Sequence, residues 1–287
     1  MTTTIQGKGQ AVLVTGCSSG IGRATAVRLA DAGYTVLATV RKQSDCLELT
    51  SLGKPELVPL FPLDLRMLEH IPPLVQRIGE ELAPRGLAGL SAIVNIAGGG
   101  GFAPLELMDI EELRGELEAR LVGPVALAQA LLPSLRLGKG RLIWIATPAL
   151  IPIPFVSSIH ACDFAANCIT RTFALELQPW GIPSIFVRCG GIRTPSVDRS
   201  YRDLGRVVAG WPPEKRELYA DALERSKKQL VTFDAKRSEP SVVAEKVLEA
   251  VRALKPKRVY RAGYQVGAAA ILDLFPQSLV DWIMARR

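Results

Sequence analysis

The residues best suited to proton transfer lie in one short segment, Ser158 to Thr170, which reads SIHACDFAANCIT. It contains His160, one of the two histidines of the chain, and Asp163 three positions later. The ordinary pKa of a histidine is about 6.5, so its side chain can donate or accept a proton near neutral pH. Residues three apart share a helix face, and Asp163 is therefore expected to orient or charge the imidazole. The segment predicts an acid–base site on a helix.

The cysteines of this segment, Cys162 and Cys168, are interpreted as small core residues. The chain has five cysteines with no regular spacing, no CxxC pair and only two histidines to accompany them. This pattern predicts no metal site, and it is typical of reduced thiols in a cytoplasmic protein.

A glycine-rich motif, TGCSSGIG, spans Thr15 to Gly22 between a short apolar strand and the start of a helix. Glycines in this context let the backbone turn tightly and approach a pyrophosphate, while the helix N-terminus offers free N–H groups. The motif predicts dinucleotide binding by Gly16, Ser18, Ser19, Gly20, Ile21 and Gly22.

The end of the second predicted strand indicates which dinucleotide is preferred. Sheets that bind NAD(H) usually carry an acid there for the ribose 2′-hydroxyl, whereas this strand ends in TVRK. Arg41 can face a 2′-phosphate, so NADP(H) is predicted over NAD(H). The alternative is that Arg41 is only a solvated surface residue.

Apolar strands alternate with helical patterns along most of the chain, beginning with AVLVTG and ending with KRVYRAG. This alternation predicts a doubly wound, parallel α/β sheet of the Rossmann type in a single domain, residues 1–287. Among its predicted helices are one over 158–178 and a long one over 109–136 that Gly123-Pro124 interrupts. The expected parts are a nucleotide-binding core over 11–195, an insertion over 195–240, and a C-terminal strand and helices over 241–287.

The insertion at 195–240 is polar and follows the sixth strand, where it would cover the carboxyl edge of the sheet. We interpret it as a substrate lid, with a surface hairpin of no role as the alternative. The C-terminal tail is apolar but is cut by Asp273 and Pro276, which excludes a membrane-spanning helix. It can pack on its own domain, on a second subunit or on a membrane surface.

Composition excludes several functions. The formal net charge is +7, but aromatic residues make up only 6% of the chain and no nucleic-acid-binding module is recognisable, so no nucleic-acid partner is predicted. The segment of ten residues at the N-terminus is polar, and no targeting segment is expected there.

Three motifs together resemble the short-chain dehydrogenase/reductase family, in particular its hydroxysteroid and retinol dehydrogenase branch. TGCSSGIG resembles its TGxxxGIG loop, NIAG at Asn95–Gly98 resembles its NNAG motif, and GGIRTP at Gly190–Pro195 resembles the segment that receives the nicotinamide carboxamide. The resemblance runs from Ala11 to Pro195. It implies further cofactor contacts at Asp64 (against the adenine), Leu65, Asn95, Ala97, Gly98, Gly190, Ile192 and Thr194.

The same resemblance implies that the catalytic tetrad of the family is substituted. Its Ser position falls on Thr147, its Tyr position on His160, its Lys position on Phe164 and its Asn position on Arg120. Only Thr147 is chemically close to its counterpart. The candidate catalytic residues are therefore His160, Thr147, Arg120 and Asp163, with Arg120 stabilising an alkoxide or binding a substrate carboxylate.

Three functions remain open at this stage. The first is hydride transfer between NADP(H) and an apolar carbonyl or iminium substrate, which the apolar segment TPALIPIPFV after the fifth strand would line. The second is non-redox chemistry, such as isomerisation, dehydration or cyclisation, in the same cavity. The third is a catalytically inactive partner or regulatory subunit. By analogy with the family, a homodimer or homotetramer is expected.

Overall fold

The computed structural model describes residues 7–96, 98 and 100–286, apart from the side chains at 197, 198, 200–202, 227 and 230. Within these residues seven strands form one sheet: β1 (Ala11–Val14), β2 (Thr35–Thr39), β3 (Leu57–Leu60), β4 (Leu90–Asn95), β5 (Leu142–Ala146), β6 (Ser184–Cys189) and β7 (Val259–Ala262).

The sheet is entirely parallel, with the strand order β3-β2-β1-β4-β5-β6-β7. The chain reverses direction across the sheet between β1 and β4, where a crevice opens at the carboxyl ends of the strands. This architecture confirms the predicted doubly wound, Rossmann-type α/β fold in a single domain.

The described residues form eleven α-helices. They are α1 (Gly20–Asp31), α2 (Gln43–Thr50), α3 (Ile71–Leu82), α4 (Ile110–Leu117), α5 (Gly123–Leu137), α6 (Ser157–Glu176), α7 (Pro195–Ala209), α8 (Pro213–Asp234), α9 (Ser241–Arg252), α10 (Val266–Leu272) and α11 (Gln277–Ala285).

Two apolar cores sandwich the sheet because nearly every strand residue is buried and side chains alternate between the two faces. On one face α1 and α9 cover strand residues such as Val12 and Val36. On the other face α3, α5 and α6 cover residues such as Leu13 and Ile93. The burial of both faces explains why the strands read as continuous apolar runs.

The long helix expected over 109–136 differs in its centre from the prediction. It does not break at Gly123; instead α4 continues through a π-helical turn, Glu118–Val122, directly into α5. Glycine is required at 123 because an added Cβ would overlap the backbone carbonyl of Leu65. The glycine marks a close helix–loop contact, and the π turn beside it carries Arg120.

The segment interpreted as a lid forms α7 and α8. A small apolar cluster that includes Trp211 and Leu223 packs them against the segment that follows β4. The tail folds back on its own domain: Val280 and Met284 of α11 are buried against Ala149, just after β5. The outward face of the tail stays apolar, with Leu274 82% exposed.

Candidate active site

A cavity of about 520 Å³ lies at the carboxyl edge of the sheet, beside the crevice between β1 and β4. It brings together eleven of the predicted cofactor residues: Gly16, Ser18, Ser19, Gly20, Ile21, Gly22, Arg41, Asp64, Leu65, Gly98 and Thr194. These residues are far apart in the sequence, and the parallel sheet gathers them because each follows the carboxyl end of a strand.

The glycine loop, Thr15–Gly22, has the backbone geometry of a phosphate cradle. Gly16 and Gly20 have positive φ angles, 69° and 55°, which side chains disfavour. An added Cβ at Gly22 would overlap the backbone carbonyl of Gly16, so only glycine permits this approach. The N-cap residue Ser19 makes no side-chain capping bond, which leaves the N–H groups at the start of α1 available to an anion.

A hydrogen bond between neighbouring strands holds this loop in place. The backbone N–H of Ile96 donates to Thr15 Oγ1 over 3.0 Å. The NIAG segment after β4 and the glycine loop after β1 are therefore joined at the point where a dinucleotide would cross the sheet.

One end of the cavity, which we call the arginine end, is formed by Arg41, Asp64 and Arg66. The guanidinium of Arg66 donates to both carboxylate oxygens of Asp64, with Nε–Oδ1 3.0 Å and Nη2–Oδ2 2.6 Å. These bonds from Arg66 lower the pKa of Asp64 below its ordinary value. Sequence analysis missed Arg66, although its position two residues after Asp64 was a usable signal.

Three of the four catalytic candidates, Arg120, Asp163 and Thr147, meet in a buried ion network, and none of the four lines the cavity. Asp163 Oδ1 accepts a hydrogen bond from Arg120 Nη2 over 3.2 Å, and Asp163 Oδ2 accepts one from the backbone N–H of Thr147 over 2.8 Å. The side chains of Arg120 and Asp163 are only 16% and 5% exposed. The network thus ties the π turn, α6 and the end of β5 together.

A fourth member of the network, Arg188 of β6, was missed by the sequence analysis. Its Nη1 donates to the backbone carbonyl of Thr147 over 3.3 Å, and its Nη2 donates to Asn167 Oδ1 over 2.8 Å. Burial lowers the pKa of this guanidinium. The signal in the sequence was an arginine inside an apolar strand, because such a charge needs internal partners.

His160 is buried near the network, but Asp163 does not orient it as expected. Both carboxylate oxygens of Asp163 bind elsewhere, and His160 Nδ1 has no hydrogen-bond partner among the described residues. Burial lowers the pKa of His160, Asp163 partly opposes this by its charge, and Arg120 adds to it. Of the two actions expected of Asp163, its charge does act on the imidazole, but it makes no hydrogen bond that would orient the ring, because the buried carboxylate accepts from a guanidinium and a backbone N–H instead.

The cavity also has an acidic wall that the sequence analysis did not anticipate, consisting of Glu111, Glu112 and Glu116 on α4. Burial raises the pKa of Glu116, while the charge of Arg120 acts in the opposite direction. Phe164, which the family resemblance assigns to the Lys position, is 38% exposed and does not line the cavity.

The remaining predicted cofactor residues lie beside the cavity rather than on its wall. Asn95 and Ile192 are buried. Gly190 is packed so closely that an added Cβ would overlap the carbonyl oxygen of Tyr264. Ala97 lies outside the described residues.

Neither a metal-binding group nor a membrane-spanning helix is found among the described residues. No group of three or more His, Cys, Asp or Glu side chains is arranged to hold a metal ion in this part of the chain. Among the same residues, no helix has both the length and the apolar character needed to cross a membrane.

Known proteins are similar to this chain in sequence. The 11-beta-hydroxysteroid dehydrogenase type 2 of Homo sapiens is 32% identical over 286 residues, covering 94% of this chain and 68% of that protein. The 17-beta-hydroxysteroid dehydrogenase type 1 of Homo sapiens is 29% identical over 259 residues, covering 87% of this chain and 76% of that protein.

A solved structure supports the fold independently. A short chain dehydrogenase from Burkholderia cenocepacia J2315, in complex with NADP, matches with a TM-score of 0.73 at 21% identity, covering 98% of this chain and 99% of that one. The sequence profile described as short chain dehydrogenase matches residues 10–205, which include the glycine loop, nearly all residues that line the cavity, and the buried ion network. The chain therefore belongs to the short chain dehydrogenase family, with hydroxysteroid dehydrogenases among its relatives.

Proposed function

We propose that the protein is an NADP(H)-dependent oxidoreductase that interconverts an alcohol and a carbonyl, or reduces an iminium, on an apolar substrate. The observation that carries this proposal is the cavity in which the glycine loop, the arginine end and Thr194 meet. Members of this family bind nicotinamide cofactors, and the volume of the cavity falls within the range of about 300–1,000 Å³ common for small-molecule sites.

The described residues fit such a cofactor. The start of α1 and the glycine loop would hold the pyrophosphate, because no side chain fits between Gly22 and Gly16. Asp64 and Arg41 would hold the adenosine, and Thr194 lies where the family resemblance expects the carboxamide. When bound, the nicotinamide supplies or accepts a hydride.

Apolar side chains support the choice of substrate. Phe102, Leu204 and Val207 line the cavity beside the lid helices. The names of the human relatives refer to hydroxysteroids, which are apolar ring systems with alcohol or ketone groups. We propose the same substrate class, an apolar ring compound, without a more specific identity.

Proton transfer is assigned to His160, at the family's Tyr position. The imidazole accepts a proton from an alcohol when neutral and donates one to a carbonyl when charged. Its lowered pKa favours the neutral form near pH 7, and so favours alcohol oxidation over carbonyl reduction at that pH. Arg120, held by Asp163, would stabilise negative charge on the substrate oxygen.

The test has a binding step and a turnover step. Quenching of protein fluorescence by NADPH and NADH measures both affinities, and tighter binding of NADPH is expected, with the preference lost in Arg41→Ala. Turnover is then followed by absorbance of the reduced cofactor with hydroxysteroids, their ketones and cyclic imines. Tighter binding of NADH, or an unchanged preference in Arg41→Ala, would refute the cofactor assignment.

A nucleotide-binding partner subunit without turnover is the second candidate, and one observation favours it. Asp163 is fully engaged by Arg120 and Thr147, and His160 is buried outside the cavity wall, so no acid–base group of α6 lines the cavity. NADPH binding of normal strength without consumption of any carbonyl or imine would support this function over the first.

A further inference from the structure

The arginine end of the cavity combines two cations with one anion. Arg41, Asp64 and Arg66 all line it, so the three side chains carry one net positive charge when Asp64 is ionised. A 2′-phosphate on the adenosine ribose would bring a charge of about −1.5 to −2 to this end at neutral pH. The distribution of charge among the three residues therefore determines how tightly that phosphate is bound.

Arg66 is held on Asp64 by a complete fork. Besides the two guanidinium bonds, the backbone N–H of Arg66 donates to Asp64 Oδ1 over 3.1 Å. Asp64 is anchored in turn, because its backbone N–H donates to His70 Nδ1 over 3.1 Å. The side chain of Asp64 is 15% exposed and that of Arg66 is 52% exposed, so the fork forms part of the cavity wall. Bidentate pairs of this kind are the strong form of charge-assisted hydrogen bond.

Arg41 stands beside this fork without joining it. It is exposed, it lines the same cavity, and it is near enough to Asp64 for its charge to be felt there. Among the described residues no carboxylate forms an ion pair with Arg41. If Arg66 no longer paired with Asp64, Arg41 would be the other cation of the arginine end that could neutralise the Asp64 carboxylate.

We infer that Arg66 determines the preference for a 2′-phosphorylated adenosine nucleotide indirectly, by occupying Asp64 and so leaving Arg41 available to the phosphate. The inference rests on the proposed function, because it concerns the same cofactor cavity. In this arrangement Arg66 is a positioning residue. It changes the selectivity between nucleotides without touching the phosphate itself.

The experiment measures binding of 2′,5′-ADP and 5′-ADP by calorimetry, so it needs no turnover. Arg66→Gln should weaken binding of 2′,5′-ADP by about tenfold, because Asp64 then attracts Arg41 and repels the phosphate. Binding of 5′-ADP should change by less than about twofold, since an exposed charge contributes little to a ligand without the extra phosphate. The loss should diminish as salt is added.

The decisive variant is the double substitution Asp64→Asn with Arg66→Gln. It removes the anion and the cation together, leaves Arg41 unopposed, and should restore the ratio of the two affinities to within about threefold of the wild-type ratio. Failure of this rescue would overturn the inference, because it would mean that Arg66 contacts the phosphate directly. An unchanged ratio in Arg66→Gln would overturn it as well.

A matched control removes an arginine from a comparable ion pair outside the cavity. Glu81 of α3 pairs with Arg85, which lies in the short 3-10 turn directly after that helix, and neither residue lines the cavity. Arg85→Gln should leave both affinities unchanged. If the wild-type protein bound neither nucleotide, the proposed function itself would be refuted and this inference with it, whereas nucleotide binding insensitive to Arg66 would refute the inference alone.

Discussion

The two halves of the candidate site at the carboxyl edge of the sheet are built in different ways, one from backbone geometry and the other from buried charges. The nucleotide side is built from backbone: positive φ angles at Gly16 and Gly20, a glycine contact at Gly22, and the exposed N-terminus of α1. The other side, which holds the candidate catalytic residues and is called the catalytic side for that reason, is built from buried charge, with Arg120 and Arg188 both close to Asp163.

These means differ in how they tolerate substitution. A backbone cradle depends on the absence of side chains, so almost any change to a glycine damages it. A buried ion network depends on the completeness of its partners, so a single substitution leaves a charge uncompensated whereas a matched pair of substitutions need not. This contrast leads us to expect an all-or-none response on the nucleotide side and compensation on the catalytic side.

The largest effect is expected from Asp163→Leu. It leaves Arg120 without its buried carboxylate and the N–H of Thr147 without its acceptor, and it should lower the free energy of unfolding by about 3–5 kcal/mol. Urea denaturation followed by circular dichroism measures this. Adding Arg120→Met should recover part of the loss because it removes the buried guanidinium that pairs with Asp163 in the wild type. A loss below about 1 kcal/mol in the single variant would contradict a buried ion network.

The next effect concerns Gly22→Ala. The new methyl group would overlap the carbonyl of Gly16, so the loop must shift and the affinity for 2′,5′-ADP should fall by about tenfold or more, equivalent to about 1.4 kcal/mol. The matched control is Gly79→Ala, another helical glycine, whose added Cβ meets no atom within 4 Å. Equal affinities in the two variants would show that the glycine loop does not hold the nucleotide.

A smaller effect is expected in the pH dependence of stability. Burial holds the pKa of His160 below its ordinary 6.5, so the unfolded chain takes up this proton more readily than the folded chain. The contribution of His160 to the free energy of unfolding should be constant above pH 6.5 and should decline as pH falls below it. His160→Gln should remove that part of the decline, which thermal unfolding between pH 7.5 and about pH 5 would detect. An identical decline in the variant would place the responsible groups elsewhere.

The smallest effect on stability is expected from Phe164→Lys. Because this side chain is 38% exposed, the free energy of unfolding should change by no more than about 0.5 kcal/mol. The informative variant combines it with His160→Tyr, which introduces the two residues that the family resemblance expects on α6. We expect little carbonyl reductase activity from it, since Asp163, Arg120 and Arg188 still occupy the surroundings. Robust activity would identify the wild-type site as a recently decayed ordinary one.

The sequence was sufficient for the fold and for most of the nucleotide side. Continuous apolar strands alternating with helices allow few arrangements besides a parallel sheet, and such a sheet brings its loops to one edge. The glycine loop could be predicted from the sequence because its phosphate-binding geometry is formed by one local turn. The resemblance to the family then located Asp64 and Thr194 on the cavity wall.

The catalytic side could not be predicted in the same way because its contacts are not local. The partner of Asp163 comes from a segment 43 positions away, and the spacing of three to His160 suggested a different pair. Asp163 does not bind His160, its neighbour on the same helix, because a desolvated carboxylate gains more from a guanidinium and a backbone N–H than from a neutral imidazole. The π turn that presents Arg120 also left no recognisable sequence signal beyond the neighbouring Gly123-Pro124.

The tail that folds back onto the segment after β5 has a consequence for how the protein is made. The backbone N–H of Leu150 donates to Asp273 Oδ1 over 2.8 Å, although the two residues are 123 positions apart. A chain emerges from the ribosome N-terminus first, so β5 and the segment after it emerge long before α10 and α11, which cover that segment. During that interval Ala149 and Ile151, both buried in the finished protein, have no α11 to pack against. Translation arrested before α10 would therefore yield a chain with a complete glycine loop but with an exposed apolar surface at Ala149 and Ile151. Chaperones bind such surfaces.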